Sequence, residues 1–232
     1  MEPLEIRILT ATPVTQTPYI RKFPLHLDAL LIGLLTNNQK HKYDKTADDP
    51  YAPEKGALPI AVAGKAKPIY CASAAFCEVA GTDIYTYVRK PPELEVWAMT
   101  RHKEFRQSGT STGKKKSVIE ELEVFTPKYI WFQCIGEKKE IRDILEGLQY
   151  IGVKRSVGFG QVYDIEVRSI KNKYAGLVTY DKMPARALPV EDWPEQKGWF
   201  KLQMAYKAPY WDPKHITICW TPDPEKTYPR MG

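Results

Sequence analysis

The chain has 232 residues, with 34 Lys+Arg against 28 Asp+Glu, a formal charge of +6, and 43% hydrophobic residues. That balance excludes a wholly disordered or collagen-like chain. It also excludes a helical membrane protein, because no run approaches the ~18–20 apolar residues that a spanning helix needs.

The length suits one domain with a large insertion or appendage, and it can bury a core without disulfides. Met1 to Glu5 carries neither the basic start nor the apolar core of a signal peptide, so a cytoplasmic protein with no membrane partner is expected.

Leu4 to Thr10 alternates apolar and polar residues and predicts a strand. A loop carrying Arg21 and Lys22 follows. Pro24 to Leu35 predicts a helix, with Pro24 in the first turn and Leu27, Leu30, Leu31, Leu34 and Leu35 on one face. The polar stretch to Glu54 reads as a long loop.

Leu58 to Val62 is a short strand-like run, and the alanine-rich Cys71 to Ala80 predicts a short helix. Leu94 to Thr100 and Leu122 to Ile135 read as strands on either side of a polar insertion. Glu137 to Tyr150 predicts a helix whose apolar stripe is Ile141, Ile144, Leu145 and Leu148. A glycine-rich turn, Gly152 to Gly160, leads into a strand from Val162 to Ile170.

This order is β-α-β-β-α-β. The expected fold class is therefore α+β, a ferredoxin-like domain with an insertion at about residues 101–117. From residue 176 the composition changes. The tail holds four of the six tryptophans and eight of the 19 prolines. It reads as a small irregular β appendage over 176–232, with strands at Phe200 to Tyr206 and His215 to Trp220, beside a main domain of 1–175.

Cys71, Cys77, Cys134 and Cys219 lack the spacing of a zinc site, so reduced thiols and no metal or cofactor are expected. Walker A and nucleophile-elbow patterns are absent. The glycines follow a helix and precede a strand, the reverse of a dinucleotide-binding fingerprint.

Two constellations point to nucleic acid. In Gly152 to Gly160, Lys154, Arg155 and Ser156 sit inside a turn in which Gly158 and Gly160 flank Phe159. Backbone N–H groups in such a loop can cradle phosphate while the cations neutralise it. The alternative is a tight helix-to-strand turn with solvated charges.

The second is Arg101, His102, Lys103 and Arg106, then a Gly/Ser/Thr tip, then Lys114, Lys115 and Lys116. Residues 101–116 hold six cations and one acid, so nearly all of the chain's excess charge lies there. A basic hairpin of this kind can reach across a nucleic-acid backbone; the alternative is a solvated loop. His26, at the start of the first helix, and His102 are the histidines placed to serve as a general base or acid; the alternative for His26 is a structural role.

These residues resemble the RAMP superfamily of CRISPR-associated proteins. The similarity rests on Pro24 to Leu31 and on the Gly152–Gly160 loop, over residues 4 to 170, and is nearest the type IV, Cas-five-like branch. The resemblance implies a ferredoxin-like (RRM/RAMP) domain whose 101–117 insertion is a thumb hairpin.

It also implies a non-catalytic, RNA-binding subunit of an effector complex. That subunit would cap the 5′ handle of the crRNA beside backbone RAMP subunits and a large-subunit-like protein, and contribute to target DNA engagement. Arg21, Lys22, His26, the thumb cations and the glycine loop would then contact RNA. The alternative in that superfamily is a metal-independent endoribonuclease that processes CRISPR repeat RNA.

Overall fold

The computed structural model describes residues 1–15, 25–38, 58–89, 118–152 and 155–221. Its centre is β1 (Glu2–Thr10), whose alternation puts Leu4, Ile6 and Ile8 on one face, each with no exposed surface. β1 lies between β6 (Val118–Gly136) and β7 (Val162–Ser169), antiparallel to both.

The register sets Ile6 opposite Phe132 and Val167, and Ile8 opposite Ile130 and Ile165, so one face of the sheet is continuously apolar. β2 (Val14–Thr15) and β5 (Phe76–Arg89) also pair with β6. The four long strands therefore run β7–β1–β6–β5, all antiparallel.

Among the described residues, two helices cover the apolar face. α1 (Leu27–Asn38) follows β1 and β2, and buries Leu27 and Leu31, one turn apart. α2 (Lys138–Leu145) follows β6 and buries Ile141 and Leu145 at the same spacing. The expected continuation of α2 to Tyr150 does not form. The backbone N–H of Glu146 closes the helix onto Arg142, Gly147 bonds back to Ile144 and Leu148 to Leu145 in tighter turns, and Tyr150 instead bridges to Gln161.

The expected helix over Cys71–Ala80 is the largest departure. Residues 71–75 form no helix and lead directly into β5, which pairs with β6; the sequence also predicts a sheet strand at Leu94–Thr100. That expected strand and the insertion at 101–117 lie outside the described residues. Alanine favours helix, but here the backbone bonds in other directions. Ser73 N–H donates to Gln133, Ala74 to Ala185 and Ala75 to Leu25, while Ser73 C=O accepts from Leu27 and Cys71 C=O from Ile135. Three separate segments approach this stretch, and Ala72, Ala74 and Ala75 are almost wholly enclosed. Small side chains permit that approach, so tertiary pairing overrides local propensity.

β3 (Val62–Ala63) and β4 (Ile69–Tyr70) form a small hairpin. The tail supplies a second sheet, with β10 (Ile216–Thr221) between β8 (Leu188–Pro189) and β9 (Phe200–Ala205). The two tail strands expected from sequence are β9 and β10.

Leu177, Leu188, Trp199, Ala208 and Trp220 join the same core cluster as Leu4 and Leu31. The Asp192 carboxylate accepts from the backbone N–H groups of Lys65, Ala66 and Lys67, tying the β3–β4 hairpin to the tail. Burial works to raise the Asp192 pKa, yet these three bonds hold it below the usual carboxylate range.

Candidate nucleic-acid interface

The glycine loop joins the end of α2 to β7. Gly152, Gly158 and Gly160 have φ of +90°, +95° and +67°. A Cβ on Gly160 would lie 1.9 Å from Ile151 O, so both conformation and space exclude a side chain there. Gly158 has open space and only its conformation to satisfy.

The turn after β1 clamps the loop. Thr12 Oγ1 donates to Gly158 O at 2.8 Å and accepts from Gln161 N at 2.9 Å; Gly160 N donates to Pro13 O at 2.9 Å. Gly160→Ala is expected to cost about 2 kcal/mol or more in urea unfolding, against about 1 kcal/mol for Gly158→Ala. Equal costs would show that the Ile151 carbonyl yields freely.

Within the loop, Arg155–Val157 forms a short 3-10 turn, closed by Gly158 N donating to Arg155 O at 3.0 Å. Arg155, Ser156 and Val157 face solvent. Phe159 turns inward. It is 9% exposed and packs edge-on against Tyr85 of β5, with ring centroids 5.1 Å apart. The flanking glycines therefore serve to bury this ring, and Phe159 anchors the loop instead of offering a stacking face. The Phe159 ring, expected as an RNA contact, is thus packed on Tyr85.

His26 is also turned inward, at 2% exposure, and stacks on Tyr210 with centroids 4.0 Å apart and planes 12° from parallel. Burial, with help from Arg186 and against the pull of Asp28, lowers its pKa to about 3. Its Nδ1 has no hydrogen-bond partner among the described residues. A ring enclosed in this way presents no surface to RNA, so the structure places His26 in the core and not at an interface. Arg21, Lys22, Arg101, His102, Lys103, Arg106, Lys114, Lys115, Lys116 and Lys154 lie outside the described residues.

Sequence reasoning missed the ionic network beside His26. Arg186, 2% exposed, donates to the carbonyls of Tyr70 (2.6 Å), Ala72 (2.9 Å) and Tyr206 (2.7 Å), to Tyr210 Oη (2.8 Å) and to Asp28 Oδ2 (3.2 Å). Tyr210 Oη donates in turn to the Asp28 carboxylate, 3.0 Å from either oxygen. Burial raises the Tyr210 phenol well above its ordinary pKa of 10.0, so it remains a neutral donor. The network binds α1, the extended 70–75 segment and the tail together. Its one signal in the sequence is Asp28, an acid set among the leucines of the first helix.

The thiols are free; Cys71, Cys134 and Cys219 are buried, and burial pushes their pKa values to about 11, 12 and 12. No helix of the described residues is long and apolar enough to cross a membrane.

Residues 2–222 match a family model described as CRISPR type IV associated protein Csf3. No curated protein matches the chain. Among solved structures, the chain is similar to one from a cryo-EM structure of the type III-B Cmr-beta bound to cognate target RNA, at 13% identity and a TM-score of 0.40. The similarity covers 72% of this chain but 61% of that one, so the chain spans less than two thirds of its length.

Proposed function

The chain belongs to the Csf3 family of CRISPR type IV associated proteins, and on that premise we propose that it is a non-catalytic, RNA-binding subunit of a type IV effector complex. In this reading it caps the 5′ handle of the crRNA, assembles with backbone RAMP subunits and a large-subunit-like protein in the cytoplasm, and contributes to target DNA engagement. The β7–β1–β6–β5 order, with helices after β1 and β6, supports a ferredoxin-like core. The β5–β6 ribbon, paired out to Arg89 and Val118, supports a thumb in the connection between those strands.

The observation that carries the reading is the glycine loop. Three glycines with positive φ and a Thr12 clamp hold Arg155 and Ser156 outward at the junction of α2 and β7. A rigid turn presenting a cation and a hydroxyl suits phosphate contacts, which position RNA without reading its sequence.

The test is the double substitution Lys154→Ala with Arg155→Ala. RNA affinity and co-assembly with the other subunits are expected to fall. The dependence of log K on log salt should also become shallower by about 0.7 for each phosphate that the variant no longer neutralises. Full affinity and assembly in the double variant would overturn the reading. The nuclease alternative gains no support from His26, because a buried ring with a pKa near 3 is a poor proton acceptor for a substrate in solvent.

A further inference from the structure

A groove of about 530 Å³ opens between the end of α2 and the start of β7. Sites for small molecules and single chemical groups occupy about 300–1,000 Å³. The floor of the groove is apolar, with Leu145 at 1% and Leu148 at 7% exposure beside the half-buried Ile165.

Its polar lining is Arg142, Glu146, Gln149, Gln161, Tyr163 and Asp164. Arg142 and Glu146 stand one helical turn apart at the end of α2, and Gln149 follows in the segment that pairs with the start of β7. Tyr163 is 64% exposed, which leaves much of its ring face uncovered.

The groove is continuous with the glycine loop. Tyr150 and Gln161, which both line it, pair as a β-bridge, and Ile151 N donates to Gly160 O at 2.8 Å. The loop with Arg155 therefore begins and ends beside the groove residues Tyr150 and Gln161. Charge divides between the two parts. The described part of the loop presents Arg155 to solvent, whereas the groove holds one cation against two carboxylates. Phosphate is drawn to the loop and repelled from the groove, so a nucleotide anchored by its phosphate on the loop is placed to direct its base into the groove.

We infer that the groove takes a single unpaired guanine of the bound RNA. The inference rests on the RNA-binding reading and gives it a point of sequence recognition. An apolar floor and an exposed tyrosine suit the faces of a base. Unpaired bases are read by stacking together with hydrogen bonds along their Watson–Crick edge.

Among the four bases, only guanine presents two adjacent donors on that edge, N1–H and the N2 amine, to which one carboxylate can accept as a pair. Glu146 has no side-chain partner among the described residues, whereas Asp164 Oδ1 already accepts from Ile165 N at 2.8 Å. Glu146 is therefore the stronger candidate for the paired contact. The amides of Gln149 and Gln161 and the guanidinium of Arg142 supply donors for guanine O6 and N7. This density of donors and acceptors favours a base over a peptide side chain.

The test uses the full chain and short uridine oligomers that differ at one central position, carrying uridine, guanosine, adenosine, cytidine or inosine, with binding read by fluorescence anisotropy. The guanosine oligomer is expected to bind about five- to a hundredfold more tightly than the others, the range that a good paired base contact gives. Inosine, which lacks the N2 amine, should lose most of that gain.

Glu146→Gln should lower affinity for the guanosine oligomer to the level of the uridine oligomer. Asp164→Asn should have a smaller effect. Equal affinity of the wild-type chain for all five oligomers would overturn the guanine site, leave the RNA-binding reading standing, and assign the groove to a protein neighbour. Failure to bind any oligomer would overturn both.

Discussion

Acidification from neutral pH is expected to weaken this fold well before its carboxylates titrate, and His26 is the reason. Its folded pKa is about 3 against an ordinary value of 6.5. Below pH 6.5 the unfolded chain takes up a proton that the native chain refuses until near pH 3. The unfolded state then binds more protons, so stability falls as pH falls, by about 1.4 kcal/mol per unit once well below 6.5. The loss should reach about 2–3 kcal/mol by about pH 4.5.

The groups facing the ring reinforce the effect. Tyr210 covers one face, Arg186 opposes a second positive charge, and the attraction of Asp28 is already shared with Arg186 and Tyr210. Urea unfolding of wild type and His26→Phe between about pH 7 and 5 provides the measurement, since phenylalanine keeps a ring to stack on Tyr210 without a site to protonate. The wild-type midpoint should fall across that range, and the variant's should stay level. Parallel slopes would mean that His26 is protonated in the folded protein.

Replacing Arg186 is expected to be the most costly single substitution in the core. Its side chain has no exposed surface, that of Asp28 has 1%, and they meet at 3.2 Å. Arg186→Met would leave the Asp28 charge buried with, among the described residues, Tyr210 and the adjacent Ala29 N–H to answer it. The carbonyls of Tyr70, Ala72 and Tyr206 would each lose a donor.

Breaking a buried pair from one side typically costs about 3–5 kcal/mol. For a chain of this length that lowers Tm by roughly 10 °C. Replacing both partners by apolar residues removes the stranded charge, so Arg186→Met with Asp28→Leu should recover much of the loss. A double variant as unstable as the sum of the two single ones would show that the bonds to backbone carbonyls, and not the ion pair, carry the effect.

The two networks explain why the tail packs as it does. The carboxylate of Asp192 and the guanidinium of Arg186 each reach from the tail to backbone groups of residues 65–72, one near the surface and one in the core. The aromatic residues then close the remaining space. Trp199 Nε1 donates to Lys182 O at 2.7 Å and Trp220 Nε1 to Trp193 O at 2.9 Å, so each buried indole keeps its donor satisfied. The many tail tryptophans thus belong largely to packing; Trp211, 82% exposed, is the exception.

Local pattern was enough to read much of the frame. Period-two alternation marked β1 and β7, and the tail strands β9 and β10 stood out in a stretch without helical periodicity. Leucine and isoleucine at helical spacing marked α1 and α2. The glycine loop was visible because three glycines in nine residues have few uses other than positive φ and close backbone approach.

What escaped the sequence depended on partners far along the chain. The 71–75 segment carries the local preference of a helix and becomes extended because its backbone is claimed by Gln133, Ala185 and Leu25. Phe159 has the setting of an exposed ring and is buried because Tyr85 lies across from it. Arg186 meets Asp28 across 158 positions, and no periodicity relates them.

The charge excess was concentrated by sequence alone: residues 101–116 carry a net +5 of the chain's +6. Sequence alone also marked β1, β7, the paired tail strands, the two helices and the glycine loop at which RNA contacts are proposed. Only the tertiary structure decided which polar groups are used inside and which are left for a ligand. The physical reason is that a polar side chain in the core must find its partner there, and that partner is chosen by chain packing and not by neighbours in sequence. His26 and Phe159, both candidate contacts by type and position, were claimed by the interior; Arg155, Ser156 and the groove beside them were not.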